Sequence, residues 1–143
     1  MTVLVIDASI AVKWVIEEEG TPQALALHRR EQLIAPELLV AECANILWKK
    51  VARSELSVEE ALLAAKLLQA AELELVPTRA LLEPATRLAL ALDHPAYDCL
   101  YLALAIARDC RFVTADDRLL RKLGEPRRRN LRNRVLALSD VEV

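Results

Sequence analysis

Two rhythms of apolar residues alternate along the chain. Thr2 to Ile6 is a β-branched, continuously apolar run of the kind buried on both faces of a parallel sheet. Shorter runs at Leu33–Ala35, Glu74–Val76, Arg111–Thr114 and Arg134–Leu138 complete a set of five expected strands. Between them the spacing turns helical. Ser9 is placed to cap a helix reaching about Glu18, and Thr21-Pro22 offers a second cap followed by proline at the first helical position. Pro36 opens a long amphipathic helix from about Glu37 to Arg53. Ser57-Val58-Glu59-Glu60 forms a capping box for the next helix, to about Ala71. A helical stretch interrupted near Pro84 ends at Leu92, another spans Ala96 to Arg108, and a short one runs from Asp117 to Leu123. Strands alternating with helices predict an α/β fold, a three-layer sandwich with a mostly parallel central sheet.

Length and composition narrow this further. At 143 residues the chain fits a single domain spanning 1–143. Although 55% of residues are apolar, charges interrupt every run before the roughly 18 residues that a membrane span needs, so no membrane association is expected. The start of the chain lacks the basic segment and small-residue cleavage site of a secretory signal, which gives a cytoplasmic expectation. Cys43, Cys99 and Cys110 are odd in number and lie in apolar segments, the usage of reduced core thiols, and the absence of a CxxC pair does not favour zinc. Net charge is −2, but from Arg118 to Arg134 eight Arg and Lys face only Glu125. Such a stripe can attract phosphate locally whatever the total charge, or serve simply as a solvated face.

The candidate chemistry lies in four acids. Asp7 closes the first strand, and Asp116 stands in the equivalent place after Phe112-Val113-Thr114. Ligands of open α/β sheets bind outside the carboxyl ends of the strands, although either acid could equally serve as a helix cap. Asp98 is the only charged residue from Ala96 to Ala107 and shares a helix face with Tyr101, Leu102 and Ala105. A carboxylate on a packed face pairs, protonates or binds a metal, unless the helix N-terminus alone supports it. Glu42, Asn45 and Lys49 form one narrow polar stripe on an otherwise apolar helix. Carboxylates without His or Cys select hard cations, Mg²⁺ or Mn²⁺, whose chemistry suits phosphodiester hydrolysis. His28 and His94 are isolated in sequence and are expected to be structural or surface residues.

Val5-Ile6-Asp7-Ala8-Ser9, Glu42-x-x-Asn45-Ile46-Leu47, Tyr97-Asp98-x-x-Tyr101-x-Ala103-Leu104-Ala105 and Val113-Thr114-Ala115-Asp116 resemble the four motif regions of PIN domains. Their order and spacing are most similar to the VapC toxins of toxin-antitoxin pairs, over nearly the whole chain. The resemblance implies a Mg²⁺- or Mn²⁺-dependent endoribonuclease, usually a homodimer, held inactive by a small antitoxin. It implies Asp7, Glu42, Asp98 and Asp116 as the acidic metal site acting on RNA. Ser9, Asn45 and Thr114 would orient the acids or the substrate, and the membership of Asp117 is left open.

Two other chemistries fit less well. A phosphatase of the haloacid-dehalogenase type needs an Asp where Ser9 stands, and a phospho-receiver domain needs a paired acid near the first strand and a late Lys. A PIN fold serving as a non-catalytic binding or scaffold module is the remaining alternative, against which the intact acids argue.

Overall fold

The computed structural model describes residues 2–143. β1 (Val3–Ile6), β2 (Gln32–Pro36), β3 (Glu74–Val76), β4 (Arg111–Thr114) and β5 (Val135–Ala137) pair in the order β3-β2-β1-β4-β5, every pair parallel. Parallel neighbours require crossovers, and the helices supply them: α1 (Ala8–Lys13) and α2 (Thr21–Arg30), α3 (Leu38–Ala52) and α4 (Val58–Gln69), α5 (Leu82–Leu92) and α6 (Ala96–Ala107), α7 (Asp117–Lys122) and α8 (Arg129–Arg132). β1, β2 and β4 are buried along nearly their whole length, as strands covered on both faces must be. The expected α/β sandwich is therefore present, with a sheet that is wholly parallel.

α6 lies across β1, β2 and β4 and packs along α5. Its Cys99 and the unbroken run Tyr101 to Ala105 are buried in the core that also holds Val5, Ile34 and Phe112 of the central strands. A helix apolar on nearly all sides is stable only in such a place. Cys43 and Cys99 are buried free thiols, and Cys110 is a half-buried one. Among the described residues no helix is long and apolar enough to cross a membrane.

Local signals mostly sit where expected. Ser57 and Glu60 close the reciprocal capping box of α4, with Glu60 N–H donating to Ser57 Oγ at 3.1 Å and Ser57 N–H to Glu60 Oε1 at 2.9 Å. Pro84 does not interrupt α5; it lies in the first turn, where its missing N–H has no intrahelical partner to lose. α1 stops at Lys13, short of the expected Glu18, and Glu18 instead bridges Lys13 at 3.1 Å and Lys50 at 2.8 Å. His28 is half-buried against Trp14, ring centroids 4.6 Å apart.

Before α2 the chain reverses through Gly20, which caps the helix in place of Thr21 and holds φ at +89°. Thr21 Oγ1 donates to Ile16 O and accepts from Glu18 N–H, which closes the loop. A Cβ at Gly20 would stand 3.0 Å from Leu138 Cδ2. Gly20→Ala should therefore destabilise the fold by about 1–2 kcal/mol, lowering the melting temperature by roughly 2–8 °C. An unchanged melting temperature would show that the loop adapts without strain.

Candidate active site

β1 ends at Ile6, opposite Val113 of β4, so the next residues of each strand, Asp7 and Thr114, lie side by side. Connections leave β1 and β4 in opposite directions across the sheet, which opens a crevice at this edge. The carboxylate of Asp7 is buried there. Thr114 Oγ1 donates to its Oδ2 at 2.5 Å, Ser9 Oγ to its Oδ1 at 2.5 Å and Ile10 N–H to the same oxygen at 3.3 Å. The cap of α1 is thus Asp7, with Ser9 as its donor, contrary to the expectation that Ser9 would cap. Burial pushes the Asp7 pKa up to about 6, against these hydrogen bonds and with a further push from the charge of Asp98.

Glu42 reaches the crevice from α3 and Asp98 from the first turn of α6. The Tyr101 hydroxyl, one turn after Asp98, donates to Glu42 Oε1. The Tyr101 ring is held by stacking on Phe112 of β4, centroids 5.4 Å apart and planes 10° from parallel. Burial raises the Glu42 pKa, and the Asp98 charge adds to this while the Tyr101 bond opposes it. Asp98 Oδ2 lies 2.7 Å from His94 Nε2, with the imidazole almost fully enclosed. His94 is therefore part of this site and not an isolated residue. Asp93, left-handed at φ +49°, turns the chain between α5 and α6 and so sets His94 before Asp98. The sequence signal was available in the four-residue spacing of His94 and Asp98 across the helix start.

Asp116 follows β4 and caps α7, accepting from Arg118 N–H at 2.9 Å. The Arg118 guanidinium closes on the same carboxylate, Nη2 to Oδ2 at 2.5 Å, and holds its pKa below the usual range. Thr114 Oγ1 accepts from Asp116 N–H at 3.0 Å, so one hydroxyl ties both strand-end acids. Asp117 does not join them. It pairs with Arg121 at 3.3 Å and lines a separate depression with Lys13 and Gln23.

Asp7, Glu42, Asp98 and Asp116 line one open cavity of about 500 Å³, together with Ser9 and Asn45. Lys49, Tyr97 and Arg118 complete its wall. Among the described residues no Lys or Arg pairs with Asp7, Glu42 or Asp98. A buried carboxylate near two others and short of a counter-charge is a donor set that suits a hard divalent cation. Among the described residues, no three His, Cys, Asp or Glu side chains are drawn closely enough together to enclose an ion as they stand. Asp116 is turned onto Arg118 and Asp98 onto His94. The Arg118 side chain is largely exposed, so its end of the pair with the half-buried Asp116 is free to swing into solvent.

The Arg-rich segment divides. Arg128 donates toward Lys122 O and Ala91 O, Arg132 to Val135 O, and Arg134 pairs with Asp109, so these side chains fasten the chain end to the body. Arg118, Arg121 and Lys122 of α7 instead line a second cavity beside the acids.

The PIN domain family model matches residues 4–126. Among solved structures, PAE2754 from Pyrobaculum aerophilum is similar at 21% identity and a TM-score of 0.64, over 85% of this chain and 79% of that one. VapBC2 from Rickettsia felis, bound to a DNA fragment from its promoter, is similar at 16% identity and a TM-score of 0.61, over 84% and 92%. Mycobacterium tuberculosis VapC20, a toxin that cleaves the sarcin-ricin loop, gives 13% identity and a TM-score of 0.60, over 78% and 86%. These likenesses concern the fold. No curated protein matches the sequence. With its family model spanning most of the chain and its four strand- and helix-borne acids facing one crevice, this chain belongs to the PIN-domain family.

Proposed function

We propose that this chain is a Mg²⁺- or Mn²⁺-dependent endoribonuclease. The observation that carries the reading is the Asp7 carboxylate, buried at the switch point of the sheet without a cationic partner and facing Glu42, Asp98 and Asp116 across one cavity. Asp7, Glu42, Asp98 and Asp116 would hold the metal. Its chemistry is Lewis-acid polarisation of a phosphate and acidification of water. Ser9 and Thr114 fix both oxygens of Asp7, and Tyr101 fixes one of Glu42, so these two acids meet a ligand already oriented. Asn45, exposed on the cavity wall, is free to orient the substrate.

On the same reading the chain is the toxin of a toxin-antitoxin pair, acting in the cytoplasm as a homodimer until a small antitoxin binds. The VapBC2 and VapC20 neighbours support this placement. So does an apolar groove of about 310 Å³ between α3, α4 and β3, lined by Leu39, Cys43, Leu47, Leu68, Leu73 and Leu75. It would accept apolar side chains of a partner segment.

Cleavage of single-stranded RNA should require Mg²⁺ or Mn²⁺ and should fall by about a hundredfold or more in Asp7→Asn and in Asp98→Asn. Both variants should remain folded by circular dichroism. Undiminished cleavage by both would refute the metal site, and no metal-dependent cleavage by the wild type would leave a binding or scaffold module.

Stability supplies a second measurement. The folded pKa of Asp7 lies above its unfolded value of 3.8, so its contribution is full below about pH 4 and is lost as pH rises through about 6. In chelator at pH 7.5 this loss amounts to roughly 2–3 kcal/mol. Asp7→Asn should escape it, melting about 5–10 °C above wild type there and converging with it toward pH 4. Mn²⁺ should raise the wild-type melting temperature at pH 7.5 and lose that effect below about pH 6, with little effect on the mutant. Equal responses of the two proteins to Mn²⁺ would exclude Asp7 as a ligand.

A further inference from the structure

A second open cavity, about 810 Å³, adjoins the acidic one and shares Glu42, Tyr97, Asp98 and Arg118 with it. Tyr97 stands at the divide. Of the chain's five aromatic residues, Tyr101 and Phe112 are spent in the core, Trp14 is packed against His28, and Trp48, exposed on α3, lines neither of these two cavities, which leaves Tyr97. Tyr97 is 62% exposed, although burial of a tyrosine is ordinarily favourable, and its hydroxyl makes no hydrogen bond among the described residues. Its place on the α6 backbone is fixed by the buried residues that follow it, so the ring is presented on a rigid element. Pro95 also lines the second cavity.

Arg118, Arg121 and Lys122 of α7 line the same cavity, together with the acids Asp93 and Glu125. Arg121 is held only by Asp117, both largely exposed, a pair that a phosphate can displace. Lys122 Nζ donates to Asp93 O at 3.0 Å, which positions the ammonium and leaves it two further donors. A flat exposed ring that shares a cleft with cations, one residue from a carboxylate of the acidic site, is the arrangement that binds single-stranded nucleic acid. Duplex RNA cannot use it, because its bases are already stacked on one another and paired.

We infer that this second cleft seats a nucleotide flanking the scissile phosphate of single-stranded RNA, its base stacked on Tyr97 and its phosphate held by Arg121 and Lys122. The inference rests on the ribonuclease reading for the position of the scissile phosphate. It makes the preferred substrate an RNA loop or tail with at least one unpaired base beside the cut. Stacking tolerates any base, so the site selects for strandedness and not for sequence.

The test is binding of a fluorescein-labelled, unstructured RNA oligonucleotide, followed by anisotropy with the cleavage-deficient Asp7→Asn chain. Adding Tyr97→Ala should weaken binding about 5- to 150-fold. Tyr97→Phe, which keeps the ring, should restore it to within about twofold. One abasic position in the RNA should weaken binding to the Tyr97 protein and have little further effect on Tyr97→Ala. Arg121→Ala with Lys122→Ala should reduce the slope of log affinity against log salt by about 1.4. Equal affinity of Tyr97 and Tyr97→Ala proteins, loss in Tyr97→Phe as large as in Tyr97→Ala, or an unchanged salt slope would each overturn the proposal. A wild type that binds as described without cleaving would refute the ribonuclease reading alone, whereas cleavage without any Tyr97 effect would refute this inference alone.

Discussion

The structure turns on one buried negative charge, the Asp7 carboxylate held by the Thr114 hydroxyl across the junction of β1 and β4. Removing a carboxylate from water is costly, and hydrogen bonds from Ser9, Thr114 and Ile10 offset that cost only in part, leaving the pKa near 6. The same Thr114 oxygen receives the Asp116 N–H. Two loops that are more than a hundred residues apart in sequence are thereby locked to one point.

Around that point the apolar core acts as scaffold for polar geometry. α6 crosses β1, β2 and β4, and the buried stack of Tyr101 on Phe112 fixes where the phenol hydroxyl meets Glu42. The same helix carries Asp98 at its first turn, backed by the enclosed imidazole of His94. Asp98 raises the pKa of both Asp7 and Glu42, which places its charge within reach of theirs. Like charges are assembled here against their mutual repulsion, with packing elsewhere in the domain sustaining them.

The basic residues near the end of the chain illustrate how one composition serves two purposes. Arg128, Arg132 and Arg134 spend their donors on backbone carbonyls or on Asp109, around α8, which has no buried residue of its own. Arg118 and Arg121, themselves largely exposed, hold carboxylates beside the acidic cavity, the half-buried Asp116 and the exposed Asp117. Charge density alone does not separate these groups.

Local chemistry was legible in the sequence because it depends on neighbours within a few residues. The five apolar runs, the Ser57–Glu60 capping box and the lone acid of α6 required only periodicity and propensity, and the acids at Asp7 and Asp116 followed from their place after strands. What depends on residues distant in the chain was decided by tertiary structure. The strand order, which sets β4 beside β1 and Thr114 beside Asp7, leaves no trace in either segment alone. The cap on Asp7 in place of Ser9 follows from burial of that carboxylate, and the turn at Gly20 from the approach of Leu138. Asp117 and Asp116 are adjacent in sequence and equally acidic, yet only Asp116 faces the cavity. The first turn of α7 rotates successive side chains by about 100°, and the sheet decides which of them points inward.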